Sequence, residues 1–118
     1  MSEAVSWVLM LSVKDGQLDA VRDLMEEMVA AAQDEPGTTV YEWFVSDDES
    51  SVHTLERFAS SEAVMAHLGS FGDNFAERFF AALEPTGWYA YGDPDSAARE
   101  ALTGSGAEIL GPFGGFAR

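Results

Sequence analysis

Two β-rich runs at the centre of the chain constrain its fold more than any other feature. The first covers residues 38–46 and the second residues 52–58, and the polar segment 47–51 between them is short enough for a hairpin. Glu35, Pro36 and Gly37 precede the first run, where proline and glycine end a helix. The centre of the chain therefore predicts a helix followed by an antiparallel hairpin.

Alternation along this hairpin places apolar side chains on both of its faces. One face would carry Val40, Glu42, Phe44, Thr54, Glu56 and Phe58. The other would carry Tyr41, Trp43, Val45, His53, Leu55 and Arg57. A sheet with one wet side shows apolar residues on one face only, so we expect helices to cover one face and another partner to cover the second.

The flanking segments complete a βαββαβ order. Residues 6–13 read as a strand, and residues 18–33 repeat apolar side chains at helical spacing. Ser60 can cap a second helix that carries His67 and is interrupted at Gly69, and Asp73 can cap a further helix. Residues 88–91 form a short aromatic strand.

This order predicts an α+β, ferredoxin-like domain over residues 1–94, with an antiparallel sheet and helices on one face. The bare face predicts a homodimer in which the sheets of two subunits pack together. Residues 95–118 form a C-terminal extension, with a short helix and a small strand at 107–110, that packs on the domain or on the partner. Phe113 and Phe116 are expected to pack on the partner or to close a pocket mouth.

Composition excludes several classes of function. The net charge of −15 would repel nucleic acid and anionic membranes, and reflects either a solubilising surface or adaptation to high salt. With no cysteine and two histidines, the sequence offers no recognisable metal site. No basic leader precedes the first apolar run and no run approaches the roughly 20 residues of a membrane span, so we expect a soluble, cytoplasmic protein.

Several short motifs, in this order and spacing, resemble those of the antibiotic biosynthesis monooxygenase superfamily over roughly residues 6–91. They are a glycine after strand one, Glu35-Pro36-Gly37, Tyr41-Glu42-Trp43, the strand end at 56–58, the Ser-Glu-Ala helix start at 61–63, and His67 followed by Phe71. The resemblance implies a dimeric α/β barrel. Some members oxidise quinols or polyphenols with molecular oxygen and no cofactor, whereas others degrade haem, isomerise small molecules or have no known substrate. Haem degradation is disfavoured, because that branch uses an asparagine that strand one lacks.

Cofactor-free oxygenation needs a base, a slot for an aromatic ring and hydrogen bonds to the ring's anion. His67 is the best base, although a histidine here can also cap a backbone carbonyl or lie half exposed. The aromatic slot would be drawn from Tyr41, Trp43, Phe71, Phe75 and Phe79.

The role of Glu56 depends on the hairpin register. A loop at 47–51 places Glu56 opposite Glu42, where one of the two carboxyls would hold a proton. A loop at 47–50 places Glu56 opposite Tyr41 instead. In either case, one glutamate can instead pair with an arginine.

These observations favour a homodimeric, cofactor-independent monooxygenase of a quinol-like or polyphenolic aromatic. His67 would be the base, and Tyr41, Trp43 and Glu56 would orient the ring. Two alternatives remain open: a non-catalytic or stress-related dimer that binds a small ligand, and a small-molecule isomerase.

Overall fold

The computed structural model describes residues 3–118, which form a five-stranded sheet with four helices. The elements in chain order are β1 (Val5–Val13), α1 (Leu18–Gln33), β2 (Thr38–Val45), β3 (Ser51–Phe58), α2 (Ser61–Asn74), α3 (Ala76–Ala82), β4 (Leu83–Tyr91), α4 (Ser96–Gly104) and β5 (Glu108–Leu110). Within these residues, no helix is both long enough and apolar enough to cross a membrane.

The strand order in the sheet is β2-β3-β1-β4-β5. Strands β1 to β4 pair antiparallel, which confirms the predicted ferredoxin-like α+β fold. The prediction of an antiparallel sheet needs one correction, because β5 joins β4 in parallel and makes the sheet mixed. Within one chain the sheet stays open and does not close into a barrel.

The hairpin loop resolves the register that the sequence left open. The backbone N–H of Ser46 donates to the Ser51 carbonyl, and the Asp48 carboxylate accepts from the hydroxyls of Ser46 and Ser50. Glu49 adopts a positive φ of 61° inside this turn. The loop is therefore the shorter one, residues 47–50.

This register sets Tyr41 opposite Glu56 and Trp43 opposite Thr54. All four side chains lie on the same face of the sheet, so the predicted division of the hairpin residues between two faces was wrong. The pairing of Glu56 with Glu42 was wrong for the same reason, since Glu42 lies opposite Leu55.

The second half of the chain also differs from the predicted boundaries. Ser60 caps α2 as expected, by accepting from the Ala63 N–H, but α2 continues through Gly69 to Asn74. Asp73 therefore lies inside α2 rather than capping α3. Strand β4 begins at Leu83, because a register shift opposite Met10 and Leu11 accommodates the proline and glycine at 85–87.

The core lies between the sheet and the helices, in two clusters of buried side chains. One is centred on Val5, Trp7, Phe58 and Val64, and the other on Leu11, Leu24, Val52 and Phe79. Three residues of the C-terminal extension, Ala98, Leu102 and Ala107, belong to the first cluster. The extension therefore packs on the core of its own chain.

The opposite face of the sheet carries many apolar side chains and is uncovered in the single chain. Its exposed side chains include Phe44, Leu55, Tyr89 and Tyr91. Exposed aromatic and aliphatic side chains at this density are typical of a surface that meets a partner.

Candidate functional site

A cavity of about 660 Å³ lies between the sheet and the helices. Its walls come from β1 to β4, α1 to α3 and the C-terminal extension. Most of the lining is apolar or aromatic, and few polar groups interrupt it. A cavity of this size and lining can hold a ligand of a few fused rings.

One polar group on the wall is His67, whose ring lies between two carboxylates. Its Nδ1 is 2.8 Å from Oε1 of Glu35, and its Nε2 is 3.1 Å from Oε1 of Glu56. His67 is 8% exposed and Glu56 is 4% exposed. We call these three residues the carboxylate–histidine unit.

Local structure brings the three members together from distant positions. Glu35 lies in the turn after α1. Gly37 lets this turn pack closely against α2, because any side chain at position 37 would clash with the Ala63 side chain. Glu56 points inward from β3, and His67 lies in the middle of α2.

Hydroxyl groups and rings hold the unit in place. The Thr54 hydroxyl donates to Oε2 of Glu56, and the Thr38 hydroxyl donates to Oε1 of Glu35, both at 2.7 Å. The His67 ring packs 4.9 Å from the Phe58 ring and 5.6 Å from the Tyr41 ring, measured between centroids. These contacts leave His67 little freedom to rotate.

The two carboxylates set the charge of the histidine. Burial alone would lower the pKa of His67, but the close contact and negative charge of Glu56, followed by those of Glu35, outweigh burial and raise that pKa above its ordinary value. These interactions favour an imidazolium held between the two carboxylates.

Tyr41 stays a neutral phenol beside this unit. Burial raises its pKa most, and the negative charges of Glu56 and Glu35 add to the rise, whereas the Trp43 indole opposes it. Tyr41 can therefore donate a hydrogen bond to a ligand but cannot act as a phenolate base at neutral pH.

Several buried polar atoms around the cavity have no hydrogen-bond partner within the described chain. They are the indole nitrogens of Trp7, Trp43 and Trp88, and Oε1 of Glu56, which is close to His67 but poorly aligned for a hydrogen bond. All four residues line the cavity. Unpaired buried polar groups are costly unless a ligand or water satisfies them.

The structure places most of the predicted site residues on this cavity. Tyr41, Trp43, Glu56, His67, Phe71 and Phe79 line it. Phe75 does not, and instead packs at the edge of the second core cluster with Arg78 5.8 Å from its ring. Phe113 and Phe116 are exposed and lie outside the lining.

Sequence reasoning missed several residues of the site. Glu35 was assigned only to the end of a helix, and no sequence signal connects it with His67, which lies 32 positions away. Trp7 and Trp88 were assigned only to strands. The extension adds Ala101, Ser105 and Gly106 to the cavity wall, which no motif predicted.

Solved structures share this fold. MupZ from Pseudomonas fluorescens superposes with a TM-score of 0.87 at 14% identity, over 99% of this chain and 96% of that chain. Rv0793 from Mycobacterium tuberculosis superposes with a TM-score of 0.68 at 23% identity, over 80% of this chain and 98% of that chain. SnoaB from Streptomyces nogalater, described as a cofactor-independent oxygenase, superposes with a TM-score of 0.68 at 14% identity, over 80% of this chain and 97% of that chain.

Comparison with family models identifies the family of the chain. A search of curated proteins gives no match. The family model described as antibiotic biosynthesis monooxygenase matches residues 4–77, a segment that includes all three members of the carboxylate–histidine unit. The chain belongs to the antibiotic biosynthesis monooxygenase family.

Proposed function

We propose that the protein is a cofactor-independent monooxygenase that oxidises a quinol-like or polyphenolic aromatic with molecular oxygen. The observation that carries this proposal is the unpaired Oε1 of Glu56, backed by His67, on the wall of an aromatic cavity. Family membership supports it, and so does the likeness in fold to SnoaB, which is described as such an oxygenase.

The reaction begins with proton transfer from a substrate hydroxyl. The hydroxyl donates to Oε1 of Glu56, and the proton moves onto that carboxylate as the phenol becomes a phenolate. His67 and the indole N–H groups on the wall stabilise the negative charge that develops on the ring. Because the charge moves from Glu56 to the substrate, the net charge of the cavity does not change.

Oxygen then reacts with the phenolate. One electron passes from the ring to O₂, and the two radicals combine to form a carbon–oxygen bond and a peroxide, which takes up the proton held by the carboxylate–histidine unit. Loss of water, with the hydrogen of the oxidised ring carbon, leaves a carbonyl. Phenol and O₂ thus give quinone and water, and the ring supplies every electron, so no reductant is needed.

The sequence assigned the role of base to His67 itself. The pKa of His67 is raised, which favours its protonated form, so we assign proton uptake to the Glu56 carboxylate and make His67 its partner. Tyr41 and Trp43 flank the same wall and orient the ring.

Oxygen consumption by metal-free protein, measured against a panel of reduced naphthoquinols and polyphenols and corrected for autoxidation, tests this function. We expect uptake with at least one compound, and a drop of at least about tenfold in the His67→Ala variant. All three tryptophans line the cavity, so quenching of their fluorescence reports binding independently. Saturable quenching without oxygen uptake would reject the oxygenase and leave the ligand-binding dimer and the isomerase.

A second function, isomerisation by proton transfer, is favoured by one observation. The unit places a proton donor, the His67 imidazolium, beside a proton acceptor, the Glu56 carboxylate, in an apolar cavity. Such a pair can move a proton between two atoms of one substrate without oxygen. Conversion of a substrate under nitrogen, with loss of activity in His67→Ala, would support the isomerase.

We also propose that two subunits pack through the open face of the sheet, and that Phe113 and Phe116 pack on the partner. Leu55→Glu is expected to convert the dimer to a monomer, because it places a charge inside this surface. Met65→Glu is the matched control, since Met65 and Leu55 are both 40% exposed but Met65 lies on α2, in the helix layer. Sedimentation equilibrium distinguishes the two; a wild-type monomer, or an intact dimer in Leu55→Glu, would contradict the proposal.

A further inference from the structure

The cavity carries carboxylate charge but no permanent cation. Among residues 3–118, no lysine or arginine lines the cavity. Of the lining residues described, only His67 can become cationic, and two carboxylates flank it, so the unit keeps at least one net negative charge whether or not His67 is protonated.

The basic residues of the chain are engaged elsewhere. Three arginines form ion pairs with other carboxylates: Arg22 with Glu49, Arg78 with Glu27, and Arg99 with Asp93. Lys14 donates to the Phe80 backbone carbonyl, and Arg118 lies over the Phe116 ring. Arg57 follows Glu56 on β3 and so lies on the opposite face of the sheet.

The negative charge at the cavity weakens the binding of an anionic ligand. The carboxylate of Glu56 is buried in the largely apolar wall, and that of Glu35 lies behind His67, outside the lining and partly exposed, so this charge is only partly screened. The rest of the chain adds to it, with a total net charge of −15. A second negative charge about 8 Å away would weaken binding roughly 30-fold at an effective dielectric constant of about 20. A neutral phenol avoids this loss.

We propose that the cavity selects uncharged aromatic ligands and rejects their carboxylate analogues. The inference rests on the proposed function for the aromatic character of the ligand, and adds the charge class. It also fits the chemistry, because a neutral phenol becomes an anion only by passing its proton to Glu56. A ligand that is already anionic would bring a second negative charge into the cavity before any reaction.

Binding of two isosteric ligands under nitrogen tests the selection without requiring turnover. The probes are 1,4-dihydroxy-2-naphthoate and 1,4-dihydroxy-2-naphthamide, which differ by one charge but hardly in size, and isothermal titration calorimetry gives both affinities. We expect the carboxylate to bind at least tenfold more weakly than the amide. Equal binding, tighter binding of the carboxylate, or binding of neither would overturn the inference.

Two variants locate the source of the selection. Ser105→Lys adds a cation at the cavity wall, whereas Thr103→Lys adds the same charge nearby on α4 but outside the lining. Ser105→Lys is expected to reduce the preference for the amide at least about threefold, and Thr103→Lys to leave it unchanged. An equal shift in both would show that total charge, rather than the cavity, discriminates.

The outcomes separate this inference from the proposed function. Selective binding of the amide without any oxygen uptake would retain the selection and reject the oxygenase. Oxygen uptake with both compounds at similar affinity would retain the oxygenase and reject the selection.

Discussion

Glu56→Gln is expected to lower the turnover number by about 10²- to 10⁴-fold, because the amide cannot accept the proton of the substrate hydroxyl. Glutamine keeps the length of the side chain and an oxygen that can accept from the Thr54 hydroxyl, so the wall of the cavity is preserved. KM should change less than kcat, since the lost interaction develops mainly in the transition state. Initial rates of oxygen uptake over a range of substrate concentrations measure both.

Glu62→Gln is the matched control for this prediction. Glu62 is an exposed carboxylate in the first turn of α2, and its replacement changes the net charge of the protein by the same amount. Its turnover should equal that of the wild type. If Glu56→Gln retained turnover within about threefold of Glu62→Gln, Glu56 would not be the proton acceptor.

The pH dependence of the rate separates the roles of Glu56 and His67. If Glu56 accepts the proton and cationic His67 stabilises the phenolate, turnover falls as the pH rises through the raised pKa of His67. If neutral His67 is the base, turnover instead rises over the same interval. Whether turnover falls or rises over this pH interval therefore decides between the two assignments.

The sheet was predictable because its signals are local. Period-two runs, the Pro-Gly break before β2 and the spacing of apolar residues in α1 each depend on neighbouring residues. The β1–α1–β2–β3 order follows from these signals. These signals did not settle the hairpin register, since it depends on the hydrogen bonds that the Asp48 carboxylate accepts and on a positive φ at Glu49. A shift of one residue moves every side chain of a strand to the opposite face of the sheet.

The candidate site was only partly predictable for the same reason. His67 and the aromatic side chains stand out by residue type, and six of the seven predicted residues line the cavity. Glu35 gives no such signal, because its contact with His67 exists only when the turn after α1 packs on α2. The extension supplies a cavity wall through tertiary packing, which no spacing in the sequence encodes.

Replacing His67 should also reveal how the unit contributes to stability. His67→Ala removes the cation between two carboxylates and leaves Glu56 buried without its partner. Loss of one partner of a buried ion pair costs roughly 3–5 kcal/mol, so we expect the free energy of unfolding at pH 6 to fall by about 3 kcal/mol. Thermal or urea denaturation measures the loss.

The sign of the pH dependence follows from the raised pKa of His67. A group with a higher pKa in the folded than in the unfolded state contributes its full stabilisation below the unfolded value, about 6.5, and loses it as the pH rises through the folded value. The difference in unfolding free energy between wild type and His67→Ala should therefore be largest near pH 6 and shrink at higher pH. His53→Ala, which removes the exposed histidine of β3, controls for ordinary titration. A difference that grew with pH would mean that His67 is held neutral, and the carboxylate–histidine unit would then be a hydrogen-bonded group without an internal cation.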